Sequence, residues 1–267
     1  MLANIATFSV PKRGSAPEEF EDASWVGPDG LSNGEIDSDR LRIVVADGAS
    51  ESLLAGRWAR RLASTFGTGK SLTRAKSSFI ATYNTAVDAW ALEMAEYVAE
   101  REERGSPIQW FEEPGLAKGA HSTVVVIEIR DEKQGAPPNW RAAAIGDSCV
   151  FQVRDEKLVA SFPMQDEDAF SYSPPLLSSH GGENDIIKRH VCFAAGDWDH
   201  EDSFYIVTDA LAEWFLRTAH NGGQPWEPLR DMNTVDFGLD FESWVNSKRG
   251  AGDMHDDDTT LVRIDLY

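Results

Sequence analysis

The sequence predicts an α+β domain in which mainly antiparallel β-sheet packs against outer helices. In the first half, two consecutive segments repeat apolar residues at the helical spacing of three to four positions. In the second half, short runs rich in β-branched and aromatic residues follow one another, separated by Gly, Pro and Asp. Because strands and helices do not alternate regularly, this pattern favours an α+β layered domain over a doubly wound parallel sheet.

The first half predicts three strands and two helices, and one of these strands is ASWVG (23–27). A short strand is predicted at 6–10 and a buried one at 41–46, where the sequence is LRIVVA. From 52 to 66 apolar residues recur every four positions, which predicts a helix with one apolar face. A longer helix is predicted over 72–104. Six apolar residues mark its inner face: Phe79, Tyr83, Val87, Trp90, Met94 and Val98.

The second half predicts a series of strands. The runs are HSTVVVIEI (121–129), NWRAAAIGDSCVFQV (139–153), KLVASF (157–162), HVCFAA (190–195), SFYIVT (203–208) and TTLVRIDL (259–266). Short helices are predicted at 209–220 and within 240–248. The long acidic segment 163–185 has no clear period, so it is predicted to be either a lid over a site or a mobile insertion. Without an internal repeat or a low-complexity linker, we expect one domain over 1–267.

Composition and charge limit the classes of partner. With 267 residues, 42% of them hydrophobic, the chain can fill a large core without disulfides. The formal net charge of −20 repels nucleic acid and anionic membranes, so neither is an expected partner. Strong acidity suits a protein that binds divalent cations, although acidic surfaces also serve solubility alone.

The cysteines and the N-terminal segment indicate the compartment. Cys149 and Cys192 lie far apart in apolar runs without metal-ligand spacing, which predicts two buried reduced thiols. The N-terminal segment has no basic leader, and no run of eighteen or more apolar residues occurs. We therefore expect a cytoplasmic protein, and a monomer.

Acidic residues lie at five separate predicted strand ends. They are Glu21 and Asp22 before ASWV, Asp47 after IVVA, Asp147 in the turn IGDS, Asp209 after YIVT, and Asp256, Asp257 and Asp258 before TTLVRI. Each has an ordinary structural explanation, such as a turn or a helix N-cap. If the sheets bring these ends to one edge, however, the clustered carboxylates cannot all stay ionised without cations. Oxygen ligands suit Mg²⁺ or Mn²⁺, and two such ions about 3.5–4 Å apart can bind a phosphoryl oxygen.

The order of these motifs resembles that of a known family. The segments EDAS (21–24), VVADGAS (44–50), HSTVVVIEI (121–129), AAIGDSCVFQV (143–153), IVTDALAEW (206–214) and DDTTLVRI (257–264) follow its usual series of ED, DG, GST, GDS, SDG and DN or DD. Together they resemble the PPM family, the type 2C metal-dependent serine/threonine protein phosphatases, in its bacterial form. Each motif is weak alone, but the ordered set covers nearly the whole chain.

The resemblance implies a four-layer α-β-β-α sandwich that binds two or three Mg²⁺ or Mn²⁺ ions and hydrolyses phosphoester bonds with a metal-activated water. The expected substrate is a phosphorylated protein, the target of a serine/threonine kinase. The implied catalytic carboxylates are Asp47, Asp209 and Asp257. Among the implied metal-binding residues, Asp47 bridges both ions and Gly48 contributes its backbone carbonyl. Glu21, with Asp22 beside it, holds one ion, and Asp209 and Asp257 hold the other. Asp147 and Glu213 match positions that hold a third, weaker ion.

The chain departs from the family pattern at substrate-facing positions. Pro17 stands where an arginine often grips the substrate phosphate, with Lys12 or Arg13 as possible substitutes. Ala49 replaces a histidine that often follows DG, and Ala210 replaces the glycine of SDG. These departures leave open two alternatives to a protein phosphatase. One is an inactive pseudophosphatase that serves as a binding or regulatory module, and the other is a metal-dependent phosphoesterase for a small molecule.

Overall fold

The structure, a computed structural model, describes residues 1–27, 33–70, 72, 74–131, 137–170, 173–232 and 239–267. The strands are β1 (Leu2–Val10), β2 (Ala23–Val26), β3 (Gly34–Asp37), β4 (Arg40–Ala46), β5 (His121–Ser122), β6 (Val124–Arg130), β7 (Asn139–Ile145), β8 (Cys149–Arg154), β9 (Lys157–Phe162), β10 (Leu177–Ser178), β11 (Cys192–Asp197), β12 (Ser203–Val207) and β13 (Thr259–Leu266). The helices are α1 (Ala55–Thr68), α2 (Lys76–Glu103), α3 (Glu113–Lys118), α4 (Asn184–His190), α5 (Asp209–His220), α6 (Trp226–Arg230) and α7 (Leu239–Ala251). Single 3₁₀ turns occur at Pro17–Glu19 and Glu167–Ala169.

Two antiparallel sheets form the centre of the molecule. The first has the strand order β3-β1-β13-β12-β8-β9, and the second has the order β11-β7-β6-β4-β2. In the first sheet β1 pairs with β13 from the other end of the chain, with Thr7 opposite Val262. In the second sheet β4 pairs with β6, with Val44 opposite Val126. The sheets therefore join residues that are distant in sequence.

Three apolar clusters hold four layers together. The middle cluster lies between the sheets, where Ile43 and Ile127 of the second sheet meet Phe204 and Ile264 of the first. A second cluster packs α5, α6 and α7 on the outer face of the first sheet. A third packs α1 and α2 on the outer face of the second sheet. Because both faces of each sheet are buried, the strands are almost continuously apolar, and the predicted α-β-β-α sandwich is confirmed.

The element bounds differ from the predictions in understandable ways. The first strand begins at Leu2 instead of residue 6, and the long helix begins at Lys76 instead of residue 72. The sequence did not reveal β3, α3 and α4, because elements of four to seven residues are too short for a clear period. The helix over 209–220 has the predicted bounds.

One cysteine prediction is wrong. Cys149 is buried and free as expected, whereas Cys192 is free but exposed. Cys192 begins the strand β11, which lies at the edge of its sheet, so its side chain has strand neighbours on one side only. Among the helices of the described residues, none combines the length and the apolarity that crossing a bilayer requires.

Candidate metal centre

The acidic strand ends converge on one pocket. A cavity of about 880 Å³ opens where β4, β7 and β12 end and where β13 begins. Six of the predicted site residues line it: Asp47, Gly48, Asp147, Asp209, Glu213 and Asp257. They are separated by as many as 210 positions in sequence, and sheet pairing brings them to the same edge.

The turn that carries Asp47 is fixed by its backbone. The Asp47 carbonyl accepts a hydrogen bond from the Thr123 N–H at 2.8 Å, and the Ala49 N–H donates to the His121 carbonyl at 2.9 Å. Gly48 lies between them, where a Cβ would approach the backbone of Glu21 and Ala55 to 2.8 Å. Only glycine therefore fits between these segments, because a side chain at position 48 would clash with their backbone.

A second turn places Asp147 beside this first one. Gly146 has a φ of +102°, and a Cβ there would lie 2.4 Å from the Thr123 side chain. The Thr123 hydroxyl also lies 2.9 Å from the Ser148 hydroxyl. The small and hydroxylated residues of the GDS and ST motifs thus fasten two strand ends to each other, and Asp147 is held between them.

Asp209 begins α5, and it is not the N-cap of that helix. Thr208 is the N-cap, and its hydroxyl accepts a hydrogen bond from the Thr260 N–H at 2.9 Å. The Asp209 carboxylate accepts from the adjacent Ala210 N–H at 2.6 Å and lines the pocket. The Thr208 hydroxyl thus links the end of β12 to the start of β13. This hydrogen bond fixes the position of the next residue, Asp209.

Asp258 connects three segments at the base of the pocket. Its carboxylate accepts hydrogen bonds from the backbone N–H of Lys12 at 2.8 Å and of Glu21 at 2.6 Å. The Glu21 side chain turns toward the rim, where it accepts from the Lys12 ammonium at 2.8 Å and from the Ser50 hydroxyl at 2.5 Å. Asp22 instead points inward and is buried. Of the ED pair, Asp22 therefore lies closer to the acidic cluster than Glu21 does.

The proposed substitutes for the missing arginine have acidic partners. Lys12 pairs with Glu21, as described above, and the Arg13 guanidinium pairs with Asp256 at 2.8 Å. Neither side chain lines the pocket. Substrate contact by Lys12 or Arg13 stays a prediction that requires these ion pairs to open.

Crowding of the carboxylates shifts their pKa values upward. Burial raises the pKa of Asp47 well above its ordinary value, and neighbouring carboxylates raise it further. These neighbours are Asp22, Asp209, Asp147 and Asp257. Burial, and then the charges of Asp147 and Asp257, raise the pKa of Asp209 to about 7. Burial raises the pKa of Asp147 to about 6.

Asp22 is also buried without enough hydrogen-bond donors to stabilise its charge. Burial raises its pKa well above the ordinary value, and the nearby Thr260 hydroxyl offsets only part of this effect. Neither Asp22 carboxyl oxygen has a hydrogen-bond partner of good geometry, and one Asp147 oxygen is likewise unpartnered. Buried oxygens without partners cost free energy. The donor set is therefore all oxygen, rich in negative charge and short of positive charge, and it fits hard divalent cations such as Mg²⁺ or Mn²⁺.

Cationic and aromatic side chains complete the pocket wall. Lys118 and His121 also line it, and the His255 ring lies 3.0 Å from the Glu213 carboxylate. Sequence reasoning did not single out Lys118, because no motif surrounds it. His255 could have been found from its position directly before the acidic triplet 256–258.

Part of the segment 163–185 also forms the wall. Glu167, Phe170, Ser173, Pro174 and Leu176 line the pocket, while residues 171 and 172 lie outside the described part of the chain. The predicted position of this segment near the acids is therefore found, and its motion stays a prediction. Glu167 contacts the ring of His220 on α5.

Asp166, Glu167 and His220 form a small group that includes one residue of the pocket wall, Glu167. Their ligand atoms lie within 4.8 Å of one another, which is close enough to hold an ion. The Asp166 carboxylate already accepts a hydrogen bond from the Asp168 N–H at 2.9 Å.

Comparisons with solved structures agree with this architecture. The S. agalactiae serine/threonine phosphatase superposes with a TM-score of 0.55 at 12% identity, covering 99% of this chain and 100% of that one. The photosystem II phosphatase PBCP gives 0.53 at 16% identity, covering 99% of each chain. RsbX in complex with magnesium gives 0.52 at 14% identity, covering 100% of this chain and 96% of that one. No protein-family model and no curated protein matches the sequence.

These similarities establish the fold. The chain adopts the PPM-type phosphatase fold that the ordered motifs predict, over essentially its full length. At identities of 12–16%, the comparisons bear on the backbone architecture and leave the chemistry to the residues of the pocket.

Proposed function

We propose that this protein is a metal-dependent phosphoprotein phosphatase that removes phosphate from serine or threonine with two Mg²⁺ or Mn²⁺ ions. The observation that carries the proposal is the crowding of carboxylates from separate strand ends around one pocket, with pKa values raised well above normal. Such a set is unfavourable without bound cations, so the fold holds it for a purpose other than its own stability.

The inner carboxylates supply the ligands in this proposal. Asp47, Asp209 and Asp257 would hold the two ions, and the Gly48 carbonyl would lie beside them. The buried Asp22 carboxylate would help to balance the positive charge of the ions. Asp147 and Glu213 would serve a third, weaker ion. When bound, such ions lower the pKa of a water molecule and polarise a phosphoryl oxygen, which is the chemistry that phosphoester hydrolysis needs.

Other side chains would act on the substrate directly. Lys118 is exposed and lines the same pocket as the acids, where its ammonium can attract the substrate phosphate. His255 lies 3.0 Å from Glu213, a position from which the imidazole can deliver a proton near the pocket mouth. Phe170, Pro174 and Leu176 exclude water from the same wall.

An activity assay with matched variants tests this function. We expect Mn²⁺-dependent hydrolysis of p-nitrophenyl phosphate and of a phosphothreonine peptide, and a loss of at least 100-fold in kcat with Asp47→Asn or Asp209→Asn. Asp88→Asn is the control, because Asp88 is an exposed acid on α2. Full activity in both pocket variants would refute the assignment.

Metal binding without turnover is the second candidate function. It is favoured by the Glu21 carboxylate, which is already paired with the Lys12 ammonium and the Ser50 hydroxyl. Calorimetric titration with Mn²⁺ alongside the phosphopeptide assay distinguishes the two. Binding of Mn²⁺ with no phosphate release from any substrate would indicate a binding or regulatory module.

A further inference from the structure

Two large aromatic side chains are exposed on the loop that leads into the pocket wall. Trp110 is 80% exposed and Phe111 is 64% exposed. Their rings pack edge to face, with centroids 6.0 Å apart. Single exposed apolar residues are ordinary, but two adjacent aromatic rings form a compact apolar surface of the kind that partners bind.

A hydrogen-bond network holds this loop in place. The Arg101 guanidinium on α2 donates to both carboxylate oxygens of Glu112 at 3.0 Å and to the Ser106 carbonyl at 2.5 Å. The Glu112 Oε2, one of these two oxygens, also accepts from the Gln109 N–H at 2.8 Å. Residues on both sides of the aromatic pair are thus fixed, so the backbone that carries Trp110 and Phe111 has little freedom left to lose on binding.

The aromatic pair lies close in sequence to a residue of the pocket wall. Phe111 lies two positions before α3, and Gly115 is the third residue of that helix. Leu53, which is 38% exposed, packs against Gly115, where an added Cβ would lie 3.3 Å from it. Gly115 itself lines the pocket. Trp110, Phe111 and Leu53 are called here the aromatic track, because the aromatic pair lies four to five positions before the pocket-lining Gly115 and Leu53 packs on that glycine.

Charge around the track indicates which peptides it can accept. The protein has a net charge of −20, Glu51 lines the pocket and is exposed, and Glu113 is exposed at the start of α3. A ligand that crosses this surface is attracted if it carries lysine or arginine. Gly115 lies five positions after Trp110, a span of at most about 18 Å, so an extended peptide covers it with about five residues.

We propose that the aromatic track is the docking site of the substrate: a basic phosphorylated peptide segment with an apolar side chain within about five residues of the phosphorylated one. The phosphorylated residue would enter the pocket while the apolar side chain packs on Trp110 and Phe111. This inference rests on the proposed function for its substrate class, while the docking itself can be measured as binding.

A set of synthetic peptides tests the proposal. Each contains one phosphothreonine, several lysines and a single leucine moved along a glycine–serine background. We measure kcat/KM by phosphate release with Mn²⁺, and Kd by fluorescence anisotropy of the same peptides with a label. We expect leucine within about five residues of the phosphothreonine to raise kcat/KM and tighten Kd about tenfold.

Variants assign that preference to the track. Trp110→Ala and Phe111→Ala should remove the leucine preference and leave p-nitrophenyl phosphate hydrolysis unchanged, while Trp110→Phe should keep most of it. The control is Leu92→Ala, because Leu92 is 70% exposed on α2 and does not line the pocket. A wild-type protein indifferent to the leucine position, or alanine variants that keep the preference, would overturn the proposal.

The two readouts keep the docking proposal separate from the proposed function. If the wild-type protein hydrolyses neither p-nitrophenyl phosphate nor any peptide, the proposed function fails, and the anisotropy series still decides the docking. A leucine preference in Kd that Trp110→Ala abolishes would then support docking alone. No such preference in Kd would overturn docking as well.

Discussion

Individual carboxylates in the pocket destabilise the fold when no metal is bound. Asp47 has a raised pKa because it is buried among other acids. Asparagine has nearly the same shape and no charge. In metal-free protein at pH 8, Asp47→Asn should therefore raise the free energy of unfolding, by about 1.4 kcal/mol for each unit by which the pKa of Asp47 is raised. Thermal unfolding in EDTA measures this change.

The matching control again is Asp88→Asn, which should change the unfolding free energy by less than about 0.5 kcal/mol. Addition of Mn²⁺ should stabilise the wild-type protein more than the Asp47→Asn variant, because the variant lacks a ligand. A metal-free Asp47→Asn variant that is less stable than wild type would show that the carboxylate has a structural partner instead.

The positions of the pocket acids could largely be predicted from the sequence, whereas the directions of their side chains could not. The motifs placed Asp47, Asp147, Asp209 and Asp257 correctly at one edge, because each acid lies within two positions of a strand end. The sequence could not show that Glu21 turns toward Lys12, since that contact depends on the path of a loop from residue 11 to residue 22.

The loop before β13 is held by a buried arginine from α7. The Arg249 guanidinium donates to the Pro11 carbonyl and the Thr259 hydroxyl at 2.8 and 2.9 Å, and also to the Asp257 carbonyl. Arg249→Met would remove the three hydrogen bonds to these acceptors, at a cost of about 3 kcal/mol in unfolding free energy. It should also weaken Mn²⁺ binding, because the backbone that carries Asp257 loses its support.

Denaturant unfolding and Mn²⁺ calorimetry together measure this effect. Arg249→Lys should restore part of both quantities, since lysine retains the charge with fewer donors. Arg189→Met is the control, as Arg189 is exposed on α4. Unchanged Mn²⁺ affinity in a folded Arg249→Met protein would show that Arg249 supports the helix packing alone.

Elements with a full period were predictable, and short ones were not. The helix α5 and the strands β9 and β12 follow directly from their patterns. The six-residue helix α3 has no visible period, although it forms part of the pocket wall and positions Lys118. Its sequence, EPGLAK, contains both glycine and proline, which usually indicate a turn.

The whole molecule should lose stability as pH rises when no metal is bound. In the unfolded chain the carboxyl groups of Asp209 and Asp147 titrate near 4, and in the fold their pKa values are about 7 and about 6. The folded state therefore binds more protons between these values, so the stability present at pH 4 falls until about pH 7. Thermal unfolding from pH 4 to pH 8 in EDTA checks the direction of the change.

Saturating Mn²⁺ should reverse this trend, because the ion competes with protons for the same oxygens and binds more tightly as they ionise. If the stability of the metal-free protein rises between pH 5 and pH 7, this result would contradict the crowding of the acids.

The sandwich as a whole could be predicted only through the order of the motifs, since the pairing of β1 with β13 joins opposite ends of the chain.

A crystal structure grown with millimolar Mn²⁺, with anomalous diffraction measured at the manganese edge, tests the central claim most directly. We predict at least two anomalous peaks about 3.5–4 Å apart among Asp47, Asp209 and Asp257. A well-ordered crystal with no manganese peak at these carboxylates would contradict the account.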